Sequence, residues 1–347
     1  MNYKEELQML KKKTGSAKKW IKLLPGFTES GYLASEIKHQ ITPDENNTEA
    51  VGEVTLEMAR ASMGWPSKDI TVNSLKISNE IFDNNIGVRI YQKANLTGLV
   101  PVIVFLHGGG FFGGSLDNVE HPCRVLADKG DIIVVSVDYG LAPERKYPEG
   151  LLDCYRAVKW IYEHAEELGI DKDKITIAGD SAGGNLSIAT TLLDRNLGTN
   201  FIKAEVLLYA TVKRGINGQG ELWDASKLEM KEDTELITKY VAGFAGLDAK
   251  VDNWYMTPNV QADIPFITPV NAKDLELLPP TLVAVGEFDP LRLQNNILVD
   301  KLREAKVPTE YIQYNGMIHA FMDQIGDLAQ AEDLMEETIN FVLKVVN

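Results

Sequence analysis

Residues 174–186 read KITIAGDSAGGNL. Ile175, Ile177 and Ala178 suit a strand buried on both faces. From Ser181 onward the composition turns helical, through Ala182, Leu186, Ile188, Ala189 and Leu192. Gly179 and Gly183 stand two residues to either side of Ser181, the positions where a side chain would clash in a sharp strand-to-helix turn. Gly179-Asp180-Ser181-Ala182-Gly183 therefore fits the G-x-S-x-G pattern, which lifts a serine hydroxyl clear of the end of a sheet.

A serine hydroxyl is a weak nucleophile, so the rest of the chain is read for a base and for an acid to orient it. Five histidines are available. His39 lies in a polar N-terminal segment, His121 in NVEHPC, and His164 on the outer part of a helix. His107 begins a glycine run. His319, in YNGMIHAF, lies just past a predicted strand, where a loop delivers it to the carboxyl edge of a sheet; it is the candidate base. The candidate acid is Asp289 in LVAVGEFDPL, after a buried apolar run and before Pro290, with Glu287 as its rival. The competing reading of Asp289 is a helix-capping role. His107-Gly108-Gly109-Gly110 follows the apolar run VPVIVFL and offers bare backbone N–H groups to an anion. It continues Phe111-Phe112-Gly113-Gly114, without the Lys and Ser/Thr of a phosphate loop. The N–H of Ala182, at the positive end of its helix, is a further expected donor.

From residue 70 strand-like and helix-like segments alternate, which predicts right-handed βαβ units and a largely parallel sheet covered on both faces. Two segments break the alternation: residues 1–69, read as helical and polar, and the insertion 213–270. The expected organisation is a core from 70–212 and 271–347, with 1–69 and 213–270 meeting as a helical cap. At 347 residues the chain can bury a large core. Its net charge of −15 argues against nucleic acid and anionic lipid as partners. The cluster Lys11, Lys12, Lys13, Lys18, Lys19 and Lys22, with Leu10, Trp20 and Leu23, reads as a solvated helix; a membrane-surface helix is the competing reading. No segment has the length and apolarity of a signal peptide or a membrane span, so no stable membrane association is expected. Cys123 and Cys154 suggest a reducing compartment or simply no disulfide, the expected location is the cytoplasm, and Cys154 reads as a buried structural thiol on an amphipathic helix.

HGGGF, DYGLAPE, GDSAGG, DP and GMIHAF, in this order, resemble the hormone-sensitive-lipase family of α/β-hydrolase carboxylesterases, from about residue 70 to the end. The resemblance implies an eight-stranded, mostly parallel sheet, a helical cap, and neither cofactor nor metal. It implies Ser181 as nucleophile, His319 as base and Asp289 as orienting acid. Gly109, Gly110 and Ala182 would form the oxyanion hole, with Gly108 in the same loop. His107 and Asp180 would support that loop. Homodimerisation through an edge strand near Tyr311 to Tyr314 is also implied. One departure stands out: Gly140 occupies the place of the family's arginine, a structural contact that here is lost or replaced.

Three functions remain open at this point. The first is an esterase acting on small-molecule esters of short to medium chain, the second an amide or formamide hydrolase using the same residues, and the third a ligand-binding member of the fold. Phe111, Phe112, Trp223, Phe244 and Trp254 are candidate substrate contacts, with Tyr255 beside them; ordinary cap packing is the alternative for each.

Overall fold

The computed structural model describes residues 3–9, 11–14, 19–42, 54–83 and 85–347. Strands β1 (Lys11–Thr14), β2 (Lys19–Lys22), β3 (Leu75–Phe82), β4 (Ile86–Lys93), β5 (Val100–Leu106), β6 (Ile133–Asp138), β7 (Ile170–Asp180), β8 (Ile202–Leu208), β9 (Thr281–Gly286) and β10 (Thr309–Tyr314) form one sheet. Its order is β1-β2-β10-β9-β8-β7-β5-β6-β4-β3. The run from β2 through β10, β9, β8, β7 and β5 to β6 is parallel throughout; β1, β4 and β3 are antiparallel to their neighbours. The eight strands expected after residue 70 are all present.

The apolar runs become central strands because both faces of the sheet are covered. In β5, Ile103 and Phe105 enter one core, whereas Val102, Val104 and Leu106 enter the other. Helix α5 (Glu149–Glu163) and helix α6 (Ala182–Asn196) cover one side, contributing Val158, Ile161, Leu186 and Ala189 to that second core. Helices α4 (Glu120–Lys129), α8 (Arg292–Glu304) and α9 (Ala329–Val346) supply Leu126, Leu298 and Leu334 to the first. Cys154 is a fully buried free thiol, as its helix position implies, and so is Cys123.

The N-terminus departs from the helical cap read from its composition. The lysine-rich stretch is not a helix: Lys11–Thr14 and Lys19–Lys22 are strands, and β2 pairs in parallel with β10 (Leu10 and Lys18 lie outside the described residues). Lys22 is buried, with its ammonium on Asp333 and 2.8 Å from Glu337. Strands of four residues carry no readable period, and it is pairing with β10 that orders them. Because β2 lies against Tyr311–Tyr314, β10 is not an edge strand, so the dimer contact implied there finds no free ladder. Farther along, helix α3 (Leu56–Ala61) does lie over the carboxyl end of the sheet: Arg60 donates to the carbonyls of Phe112 (2.6 Å) and Ala142 (2.8 Å). Helix α7 (Thr234–Tyr255), from the insertion, covers the same end.

The space left by Gly140 is filled from within the chain. A Cβ there would lie 2.5 Å from an Arg145 guanidinium nitrogen. Arg145 pairs with the buried Asp153, whose Oδ2 also accepts the Gly140 N–H at 3.0 Å. The support is replaced rather than lost.

Candidate active site

The turn between β7 and α6 is as tight as its glycines imply. Ser181 has φ 54° and ψ −115°, a conformation L-residues avoid unless the surroundings enforce it. Its N–H donates to Leu208 at 2.9 Å, and its carbonyl accepts from Thr211 (3.0 Å) and Asn185 (3.1 Å). Asn185 in turn donates to the Thr211 and Ile267 carbonyls. A Cβ on Gly183 would lie 1.9 Å from the Leu106 carbonyl oxygen, and one on Gly179 2.4 Å from that of Gly183. Only glycine at both positions lets α6 start this close to β5.

Asp289 leaves the end of β9 and His319 the turn after β10, so adjacent parallel strands bring them to the same edge as Ser181. His319 Nε2 lies 2.9 Å from Ser181 Oγ, and Nδ1 lies 3.0 Å from Asp289 Oδ2. Asp289 is fully buried, and its other oxygen accepts the Leu291 N–H at 2.7 Å, an Asx turn ahead of α8 whose first turn receives no side-chain cap. Glu287, the rival acid, is engaged elsewhere: its oxygens accept the N–H groups of Gly31 (2.7 Å) and Gly316 (2.9 Å). Burial raises its pKa to about 7. His39, His121 and His164 lie away from the serine; His121 meets Ser67, and His164 the Trp160 carbonyl of its own helix.

The glycine loop runs beside Ser181 because β5 and β7 are neighbours, with Leu106 paired to Gly179. Gly109 and Gly110 adopt φ of 123° and 60°. Among the described residues neither their N–H groups nor that of Ala182 meets a protein acceptor, so all three remain available to an anion. Gly108 differs from the other loop glycines: its N–H donates to Asp180 Oδ1 at 2.8 Å, so it is not an oxyanion donor but the loop's fastening. Burial lifts the Asp180 pKa to about 6, with the Gly108 N–H and the His319 charge opposing it. His107 is buried with its pKa lowered by burial, stacks on Tyr139 at 4.4 Å, and receives the Tyr139 hydroxyl on its carbonyl at 2.6 Å. It anchors the loop.

Above Ser181 lies a cavity of about 150 Å³. Of the aromatic candidates, Phe111, Phe112 and Phe244 line it, and Phe244 sits edge-on to the His319 ring at 4.8 Å. Trp223, Trp254 and Tyr255 do not line it. They stand behind, stacking or packing edge-on against Phe244, Phe112 and Phe111 respectively. Sequence reasoning missed Met63 and Asn118 on one wall and Arg214, Leu247, Asp248 and Val251 on another, along with Asp323. Only a helical-period reading of α7 from Phe244, through 247, 248 and 251, would have found part of that second wall.

A sheet of this topology, with a serine on its strand-to-helix turn and an acid and a histidine following in chain order, defines the α/β hydrolase class. The chain belongs to that family: the model for the alpha/beta hydrolase fold matches residues 103–323. Among its relatives, a carboxylesterase of Mycobacterium tuberculosis is 36% identical over 242 residues, covering 69% of this chain and 72% of its own. An arylesterase of Saccharolobus solfataricus is 34% identical over 259 residues, covering 74% and 79%. Among solved structures, an esterase of Pyrobaculum calidifontis superposes with a TM-score of 0.69 at 30% identity, over 84% of this chain and 89% of its own.

Proposed function

We propose that the protein is a serine carboxylesterase that hydrolyses short- to medium-chain carboxylic esters through an acyl-enzyme. The observation that carries this reading is the unbroken contact chain Ser181–His319–Asp289, at 2.9 and 3.0 Å, beside three unspent backbone donors. In this mechanism Ser181 Oγ attacks the ester carbonyl and passes its proton to His319 Nε2. Asp289 holds the imidazole by its Nδ1–H and stabilises the imidazolium. The carbonyl oxygen becomes an oxyanion, received by Gly109, Gly110 and Ala182; one such donor is worth about 3 kcal/mol in the transition state. His319 then protonates the leaving alcohol. Water enters, is deprotonated by the same nitrogen, and releases the acid from Ser181. The carboxylesterase and arylesterase relatives support ester over amide substrates, and the modest cavity walled by Phe111, Phe112 and Phe244 supports short to medium chains.

The helical cap in this proposal consists of α3 with the residues following it, together with the 213–270 insertion. Two buried free thiols support a reducing compartment, and the cytoplasm is the one we assign. No helix among the described residues is long and apolar enough to cross a membrane.

The test is hydrolysis of p-nitrophenyl acetate, butyrate, octanoate and palmitate by the wild type and by Ser181→Ala. Turnover of the shorter esters, lost by a factor of order 10⁵–10⁶ in the variant, is the expected result. Equal rates for the two proteins would remove Ser181 from the chemistry.

A further inference from the structure

Two spaces meet at Met63. On one side is the cavity above Ser181; on the other is an open cleft of about 590 Å³, lined in part by Arg60, Leu141, Glu144 and Arg145. Met63, Gly114 and Asn118 line both, so they form the partition between them. No step of the proposed mechanism uses the cleft or its partition.

Most of the partition is fixed. Gly114 takes φ 84°, and a Cβ there would lie 2.1 Å from the Gly108 carbonyl oxygen. Asn118 donates to the Met63 carbonyl at 3.3 Å and accepts the Ser115 hydroxyl at 2.9 Å. The Met63 N–H donates to the Arg60 carbonyl at 3.2 Å, so the Met63 backbone is held from both sides. Arg60 in turn spends its guanidinium on the Phe112 and Ala142 carbonyls and on both oxygens of Glu144, at 2.9 and 2.6 Å. The Met63 side chain is the part left free to move.

That side chain is half-buried and lies on the bare face of Gly113: a Cβ on the glycine would be 3.3 Å from both Cγ and Cε of Met63. Glycine stands at 64, 113 and 114, so the wall there holds little besides the Met63 and Asn118 side chains. An unbranched thioether with three rotatable bonds fills such a gap without being locked in it. A chain that outgrows the cavity in this direction meets a side chain rather than backbone.

We infer that Met63 limits the length of chain the enzyme accepts: its side chain closes the cavity against the cleft, and trimming it joins the two, giving a longer alkyl chain a way out past Gly113 and Leu141. This rests on the carboxylesterase reading above, and it gives the short- to medium-chain preference a cause in one residue.

The test measures kcat/KM for two series of esters. p-Nitrophenyl butyrate, octanoate and dodecanoate vary the acyl portion; ethyl, hexyl and decyl butanoate vary the alcohol. The two portions leave the reacting carbon in different directions, so the series that runs toward Met63 responds. In the wild type that series falls with length. Met63→Ala removes Cγ, Sδ and Cε, and each methylene that finds a place out of water is worth about fourfold. The ratio of the middle ester to the shortest is therefore expected to rise about tenfold or more, and that of the longest at least as much, because the cleft is open. Met63→Leu keeps a plug of similar volume and should stay within about twofold of wild type. Each ratio is taken within one protein, so a general loss of activity or of folded protein cancels. Ratios that move in neither series with Met63→Ala overturn the inference. So does a gain confined to the middle ester, which a merely enlarged pocket would give, and so does a wild type that cleaves the longest ester of both series as well as the shortest. All three results leave the esterase reading standing, whereas a wild type inactive on every ester overturns that reading too.

Discussion

Gly183→Ala probes the joint on which the whole site depends. The added Cβ would lie 1.9 Å from the Leu106 carbonyl oxygen and 2.6 Å from that of His107, both backbone atoms that no rotamer change can move. Ordinary contact starts at 3.4 Å, so α6 must retreat from β5 by about 1.5 Å or the strand end must bend. Either movement separates the Ala182 N–H, at the start of α6, from the Gly109 and Gly110 N–H groups, which continue the strand. Forcing a methyl into packed backbone costs roughly 1–3 kcal/mol. A displacement near 1 Å in the reacting geometry costs about 10²-fold in rate, and a lost oxyanion donor about 10²–10³-fold. The expected variant thus folds with a melting temperature lowered by roughly 1–4 °C and a kcat/KM on p-nitrophenyl butyrate down by about 10²–10³. Gly243→Ala is the matched control: it lies within α7 with no atom inside 4 Å of the added carbon, so it should gain up to about 1 kcal/mol from helix propensity. If Gly183→Ala kept wild-type kcat/KM and melting temperature, the claim that this glycine sets the oxyanion geometry would be refuted.

Other substitutions address what holds the site in place. Glu205 is fully buried in β8, with one oxygen unpartnered, and burial raises its pKa to about 7. The folded state therefore binds a proton that the unfolded state has already released between about pH 4.5 and 7, and this group's contribution makes stability fall as pH rises through that window. Glu205→Gln should remove that slope and gain on the order of 3 kcal/mol relative to wild type at pH 8 but little at pH 4.5, read from chemical denaturation at both pH values. Arg145→Ala strips the buried Asp153 of its principal cation and should cost about 1–3 kcal/mol; adding Gly140→Arg to it should recover most of the loss, whereas Gly140→Arg alone, which runs into Arg145, should not stabilise. His164→Ala, which removes only a contact to the Trp160 carbonyl, should leave kcat/KM within about twofold of wild type; a large loss would unseat His319 as the base.

Much of the site was legible because local chemistry dictates it. Gly179 and Gly183 around Ser181 mark a turn that other residues would block, and the apolar runs before His107, Gly179 and Glu287 are what strands buried on both faces must contain. Strand ends in a parallel sheet share one edge, so His319 and Asp289 were placed by topology alone. The choice between Asp289 and Glu287 was harder, since both follow β9; it turned on which loop each carboxylate meets, and Glu287 meets Gly31 and Gly316. Gly108 looked like its two neighbours until the Asp180 carboxylate was found on its N–H.

By itself the sequence determined the α/β order, the elbow, the donor loop and the members of the Ser–His–Asp chain, since each follows from a residue's own backbone freedom or from its place at a strand end. The tertiary structure alone decided the rest. It turned a lysine-rich stretch into strands by offering β10 as a partner, filled the gap at Gly140 with Arg145, and set Trp223 and Trp254 behind the cavity wall rather than on it. It also brought Asp248 from α7 and Asp323 from the turn after His319 to one cavity. These outcomes depend on which distant segments compete for the same space and the same hydrogen-bonding groups, and that competition is resolved only when the chain is packed.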